Sequence, residues 1–166
     1  MNAPATFPID EKLRKQISSR WQLPFYMGFK LPLGLFAGLR VDQLDTEKCL
    51  VSVPYGWRSQ NPFRSIYFAA QSMAAEMSTG AIAMLATKSA SKSVAMLITN
   101  MEAEFVKKAN KRTTFTCTQG LEIFQSVEQA VQTGEPQKCT VETIGTMADG
   151  TIVSTFKFTW SFKARK

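Results

Sequence analysis

Residues 61–86 read NPFRSIYFAAQSMAAEMSTGAIAMLA, and the fold turns on how this stretch is read. Asn61 followed by Pro62 is a helix-start signal: the Asn side chain can accept a free backbone N–H, and Pro suits the first helical position because its missing donor is one the helix leaves unpaired. No proline interrupts the run from Phe63 to Ala86, so the pattern predicts one long helix. At about 100° per residue, Ser65, Ser72, Glu76 and Thr79 fall on a narrow polar stripe of an otherwise apolar rod. A helix apolar on nearly all sides belongs inside a domain or between subunits. An ionised Glu76 is costly there unless it is paired or used chemically. Two readings stand open: a structural ion pair with a lysine, a backbone donor or a partner subunit, or a general base or nucleophile whose pKa is set by apolar surroundings.

The chain of 166 residues is 45% hydrophobic and 20% charged, a composition and length suited to one domain with a core that needs no disulfide or metal. Cys49, Cys117 and Cys139 lack metal-site or redox spacing and read as small core residues in a reducing compartment. With no histidine in the chain, Ser-His-Asp and Cys-His nucleophilic systems are excluded. Chemistry falls to carboxylates, hydroxyls, amides and backbone donors, and no metal site is expected. The opening MNAPATFPIDEKLRKQ has early acidic residues and no apolar core, so a cytoplasmic protein without a secretory signal is expected. Residues 23–39, LPFYMGFKLPLGLFAGL, are strongly apolar but broken by Pro24, Lys30, Pro32, Gly34 and Gly38, and too short to span a bilayer. They read as a broken helix covering the core, with a membrane-surface or acyl-chain lid role as the other reading. The net charge of +7 concentrates in Lys107, Lys108, Lys111 and Arg112, a solvated turn with no accompanying nucleic-acid motif.

Outward from the central stretch the period changes. Residues 10–21 suit a short helix, and 39–44 and 48–54 alternate as a hairpin. After the long helix, residues 94–106 and 113–119 are expected to pair as strands joined by the basic turn. Residues 121–132 are ambiguous between strand and helix. Residues 137–147 and 151–163 flank Asp149-Gly150, a strong hairpin signal. Ile152, Phe156, Phe158, Trp160 and Phe162 are assigned to the core face of the last strand.

This order of elements resembles the hotdog fold, an α+β architecture in which an antiparallel sheet wraps around one long central helix, here with an N-terminal helical cover. On that reading residues 1–37 form the extension and 38–163 the core of a single domain. The helix entrance resembles phenylacetyl-CoA-type acyl-CoA thioesterases, which commonly show an Asn, then a Gly and a His-Gly-Gly-like turn, then an acid about four helical turns on. Asn61 and Glu76 stand at the outer positions, with Gly80 following. Arg64 stands at the usual Gly, Tyr67 at the usual His and Ala69 at the following Gly. Most of residues 25–163 is similar to the family named as domain of unknown function 4442.

The resemblance implies hydrolysis of an acyl-CoA or acyl carrier protein thioester, with coenzyme A as part of the substrate and no cofactor. Backbone N–H groups near residues 65–68 would polarise the carbonyl. Glu76 would activate water or attack directly, and Asn61 would act across the interface of a homodimer, which can associate further into a tetramer. Ser65, Tyr67, Phe68, Ser72 and Thr79 are the candidate orienting residues. Arg64 and the cluster Lys107, Lys108, Lys111 and Arg112 are candidates for gripping substrate carboxylate or phosphate. The alternative is a noncatalytic hotdog module that binds acyl thioesters or fatty acids. Each residue also has a plain structural role open to it: Asn61 as a cap, Tyr67 as core, Arg64 as a surface charge, Ser72 and Thr79 as back-bonding hydroxyls.

Overall fold

In the computed structural model, which describes residues 7–165, three short helices lead into the sheet. They are α1 (Glu11–Ser18), α2 (Gln22–Lys30) and α3 (Pro32–Ala37). Asp10 caps α1, its Oδ1 accepting the Leu13 N–H at 2.9 Å. Pro32 sits in the first turn of α3, and Gly38 ends it in the left-handed conformation. The remaining elements are β1 (Arg40–Leu44), β2 (Cys49–Val53), α4 (Phe68–Ser89), β3 (Val94–Phe105), β4 (Thr113–Cys117), α5 (Gly120–Thr133), β5 (Gln137–Met147) and β6 (Ile152–Ala164). The residues expected at the two ends of the chain, 1–6 and Lys166, lie outside the described range.

The six strands form one antiparallel sheet in the order β1-β2-β4-β5-β6-β3. It curves around α4, whose residues from Ala74 to Thr87 are buried apart from Glu76 and Met84, which are half-buried. Two hairpins match the sequence reading, β1 with β2 and β5 with β6. One pairing does not: β3 joins β6, and β4 lies between β2 and β5. The basic segment between β3 and β4 is therefore a crossing link. Its buried Ala109 accepts the Ile66 N–H at 2.7 Å, so the link is tied beneath the entrance to α4 and cannot act as a hairpin turn. The ambiguous stretch is helix α5, which buries Ile123, Phe124, Val127 and Ala130. In β6 the expected face is correct from Phe156 onward, but Ile152 is exposed and Val153 buried. The register slips between Gly145 and Thr146 of the partner strand, and a one-residue slip reverses the faces.

The core packs through close backbone approaches. At Gly120, whose N–H donates to the Glu47 carbonyl at 2.9 Å, a Cβ would run into the Thr46 carbonyl oxygen and the Glu47 backbone. Replacing Gly120 with Ala is expected to destabilise the fold by about 1–3 kcal/mol, read as a lowered urea midpoint with an unchanged slope.

Candidate active site

The central helix starts later than its sequence signal. Residues 61–67 form a turn, and α4 begins at Phe68. Asn61 caps this turn instead of the helix: its Oδ1 accepts from Phe63 N at 3.0 Å, Ser65 N at 3.2 Å and Ser65 Oγ at 3.3 Å. The arrangement leaves the Asn61 NH2 without an acceptor among the described residues. Arg64 takes the left-handed conformation, φ 60°, where a glycine is free of strain. Its side chain is exposed.

The backbone donors of this entrance can be accounted for one by one. The Ile66 N–H goes to Ala109 O and the Tyr67 N–H to Ser59 O, both at 2.7 Å, and the Ser65 N–H is taken by Asn61. The Phe68 and Ala69 N–H groups find no acceptor among the described residues. The expected donor group at 65–68 thus narrows to Phe68 and extends to Ala69, at the positive end of a 22-residue helix. Buried Gln71, which the sequence reading passed over, holds this entrance in place. Its Nε2 donates to Ile66 O at 3.1 Å, and its Oε1 accepts from Ser154 Oγ at 2.9 Å.

Glu76 lies two turns further along. It shares a cavity of about 230 Å³ with Leu23, Tyr26 and Met27 of α2, Met77, and Met96 of β3. Burial pushes its carboxyl pKa up. No side chain or backbone group of the described residues forms a hydrogen bond or ion pair with the Glu76 carboxylate, although Lys30 lines the same cavity. The structural ion pair expected within the chain finds no lysine or backbone partner among the described residues. Gly80 makes room for the carboxylate, since a Cβ there would stand 2.6 Å from Glu76 Oε1. A mid-helix glycine costs about 1 kcal/mol relative to alanine, and this close approach is what it accommodates.

The other expected residues sort by place. Asn61, Ser65, Tyr67 and Phe68 line a second cavity of about 580 Å³, together with Gln71, Lys107 and Lys108. Tyr67 stacks edge-on against Phe68 with ring centroids 4.8 Å apart. Lys108 Nζ donates to Phe63 O at 3.3 Å. Lys111 is drawn off to Asp149 at 3.0 Å, and Arg112 Nη1 donates to Ser52 Oγ at 3.1 Å. Neither lines this cavity. Ser72 Oγ donates to Phe68 O at 2.9 Å. Thr79 Oγ1 donates to Glu76 O at 3.0 Å and accepts from Trp160 Nε1 at 3.1 Å, so it fixes the buried indole. The three cysteines are free and buried. Burial raises all their pKa values, that of Cys117 to about 11, which keeps the thiols protonated.

A long central helix within a wrapping antiparallel sheet is the hotdog fold. Residues 19–162 match the family described as Domain of unknown function (DUF4442), and the chain belongs to that family. No curated protein matches the sequence. Among solved structures, a Pseudomonas aeruginosa protein of unknown function described as a probable thioesterase is 17% identical, covering 90% of this chain and 99% of its own, with a TM-score of 0.73. A Chlorobaculum tepidum protein of unknown function is 12% identical over 96% of this chain and 99% of its own, with a TM-score of 0.76. A Haemophilus influenzae thioesterase is 11% identical over 92% and 95%, with a TM-score of 0.63.

The raised Glu76 pKa fixes the sign of a stability effect. The folded state binds the proton more tightly than the unfolded chain, so the favourable contribution is present at low pH and is lost as pH rises through the folded-state value. Glu76→Gln is therefore expected to melt above the wild type at neutral pH. The gap should close as pH falls below the ordinary carboxylate range, a trend measurable by calorimetry across a pH series.

Proposed function

We propose that this protein hydrolyses an acyl thioester, carried on coenzyme A or an acyl carrier protein, in a homodimer. The observation that carries the reading is Glu76: a carboxylate on a buried helix, in an apolar cavity, with no partner among the described residues. The thioesterase descriptions of the Pseudomonas and Haemophilus neighbours point the same way.

The chemistry follows from the groups available. Glu76 takes a proton from water as the water oxygen attacks the thioester carbonyl. The resulting oxyanion accepts from the Phe68 and Ala69 N–H groups and from the free Asn61 amide. Collapse breaks the carbon–sulfur bond, and the departing thiolate recovers the proton from Glu76. Phe68 and Glu76 are separated by about 12 Å of helix, too far for both to act on one carbonyl within a single chain. A second copy supplies the missing half. Strand β3 supports such an assembly: it is a 12-residue edge strand, unpaired on its outer side among the described residues, exposing Leu97, Met101 and Phe105. An open apolar edge of that length favours pairing with another strand.

The test is thiol release from short, aromatic and long acyl-CoAs by wild type and Glu76→Gln side by side. The variant should lose about 10²-fold or more in kcat, and the wild-type rate should rise with pH to a midpoint above the ordinary glutamate value. Activity that survives in Glu76→Gln would overturn the assignment. Bound acyl-CoA without turnover would mark a noncatalytic acyl-binding module instead. Lys107 and Lys108 line the entrance cavity and are assigned to the phosphates of coenzyme A. Replacing both with Ala should raise KM several-fold with kcat nearly unchanged, and more steeply at low salt.

A further inference from the structure

The N-terminal cover has two faces. Inward, Leu23 and Met27 of α2 are buried against the Glu76 cavity. Outward, Trp21, Phe25 and Phe29 repeat at four-residue spacing along one side of α2, and are 89%, 73% and 75% exposed. The Phe25 and Phe29 rings meet edge to face at 5.2 Å. Leu33 and Phe36 of α3 continue the ridge, and Phe36 meets Trp57 from the loop after β2 at 6.1 Å, all three more than half exposed. Water-soluble surfaces rarely present so many contiguous large apolar side chains without a partner.

Charge identifies the partner. Between Glu11 and Asp42 the chain carries Lys12, Arg14, Lys15, Arg20, Lys30 and Arg40 and no acidic residue. Arg14 is paired with Glu11 at 2.8 Å, but the others make no ion pair among the described residues. Several flank the ridge. Arg20 and Arg40 line a groove with Trp21 and Pro24, Lys30 follows Phe29 at the end of α2, and exposed Arg58 follows Trp57, its Nη2 lying over Gly38 at the end of α3. Exposed aromatic side chains edged by Lys and Arg suit the boundary between anionic headgroups and acyl chains. A second copy of this basic chain on the same ridge would set like charges against each other. No helix among the described residues is long and apolar enough to cross a membrane, so contact would lie in the surface plane.

We infer that the α2–α3 ridge docks this protein onto bilayers rich in anionic phospholipid. The inference does not depend on thioester hydrolysis. It is tested by co-sedimentation of the full chain with vesicles of phosphatidylcholine alone or of equal parts phosphatidylcholine and phosphatidylglycerol, with tryptophan emission followed in parallel. The wild type should sediment with the mixed vesicles, weaken as salt rises, and show a blue shift from Trp21 and Trp57, since buried Trp160 is already shielded. Phe25→Ser/Phe29→Ser should lose roughly tenfold or more in partitioning, and Arg20→Glu/Arg58→Glu should lose the preference for the anionic vesicles. Circular dichroism of each variant checks that the fold is kept. No sedimentation and no blue shift of the wild type would overturn the inference, as would equal binding by Phe25→Ser/Phe29→Ser. Failure to bind vesicles, with the same double variant dissociating an oligomer in analytical ultracentrifugation, would assign the ridge to a second copy.

Discussion

The structure depends on enclosing a helix that has almost no wet side. From Ala74 onward α4 presents mainly small apolar residues in every direction, so each sector of its circumference needs a cover. The curved sheet closes one part, α5 another, and α1 to α3 the remainder. Small side chains let these layers approach closely. Glu76 emerges where the N-terminal helices meet the helix and β3, at a seam between covers instead of deep within one layer. That position explains how a carboxylate can stay on a core helix: it is stripped of most water and of every partner among the described residues, yet it retains a little exposure.

Much of this was legible in the amino-acid order, because it rests on periodicity and on local turn chemistry. The apolar run predicted the central helix, Asp149-Gly150 predicted the last hairpin, and Pro32 with Gly38 predicted the broken cover. The misses share a physical cause. Asn61-Pro62 is a genuine chain-turning signal, but Ile66 and Tyr67 give their N–H groups to Ala109 and Ser59, partners distant in sequence or outside any helix pattern, and the helix starts only after those bonds. Likewise β3 and β4 are adjacent in sequence, but the hydrogen bonds of β3 go to β6. Tertiary competition for backbone donors decided both, and residue spacing carries no trace of it.

The candidate site was legible in its residue types and less so in its geometry. Glu76 announced itself by being the lone acid of an apolar stretch, and Asn61 by its turn. Gln71 did not, since a glutamine in a helix is ordinary until its two bonds, to Ile66 and Ser154, are seen to pin the entrance to the sheet. Ser72 and Thr79 fell on the expected stripe, but their hydroxyls are occupied by the helix backbone and, for Thr79, by Trp160. The basic link divided in two: its first lysines reach the entrance cavity, and the later cations turn toward the Asp149 hairpin and β2.

The pairing of β3 with β6 also shapes how the chain reaches its native state. Val94 aligns with Ala164, and Phe105 with Ser154, so β3 has no native partner until β4, α5, β5 and then β6 itself have been made. The hairpins β1–β2 and β5–β6 can form from neighbouring residues, but the sheet closes only through this distant contact, which places the fold among topologies that acquire their order slowly. During that interval the strand is open along both edges, a condition in which nascent chains associate wrongly with one another. The native topology thus makes β3 the segment that waits longest for its hydrogen-bond partner.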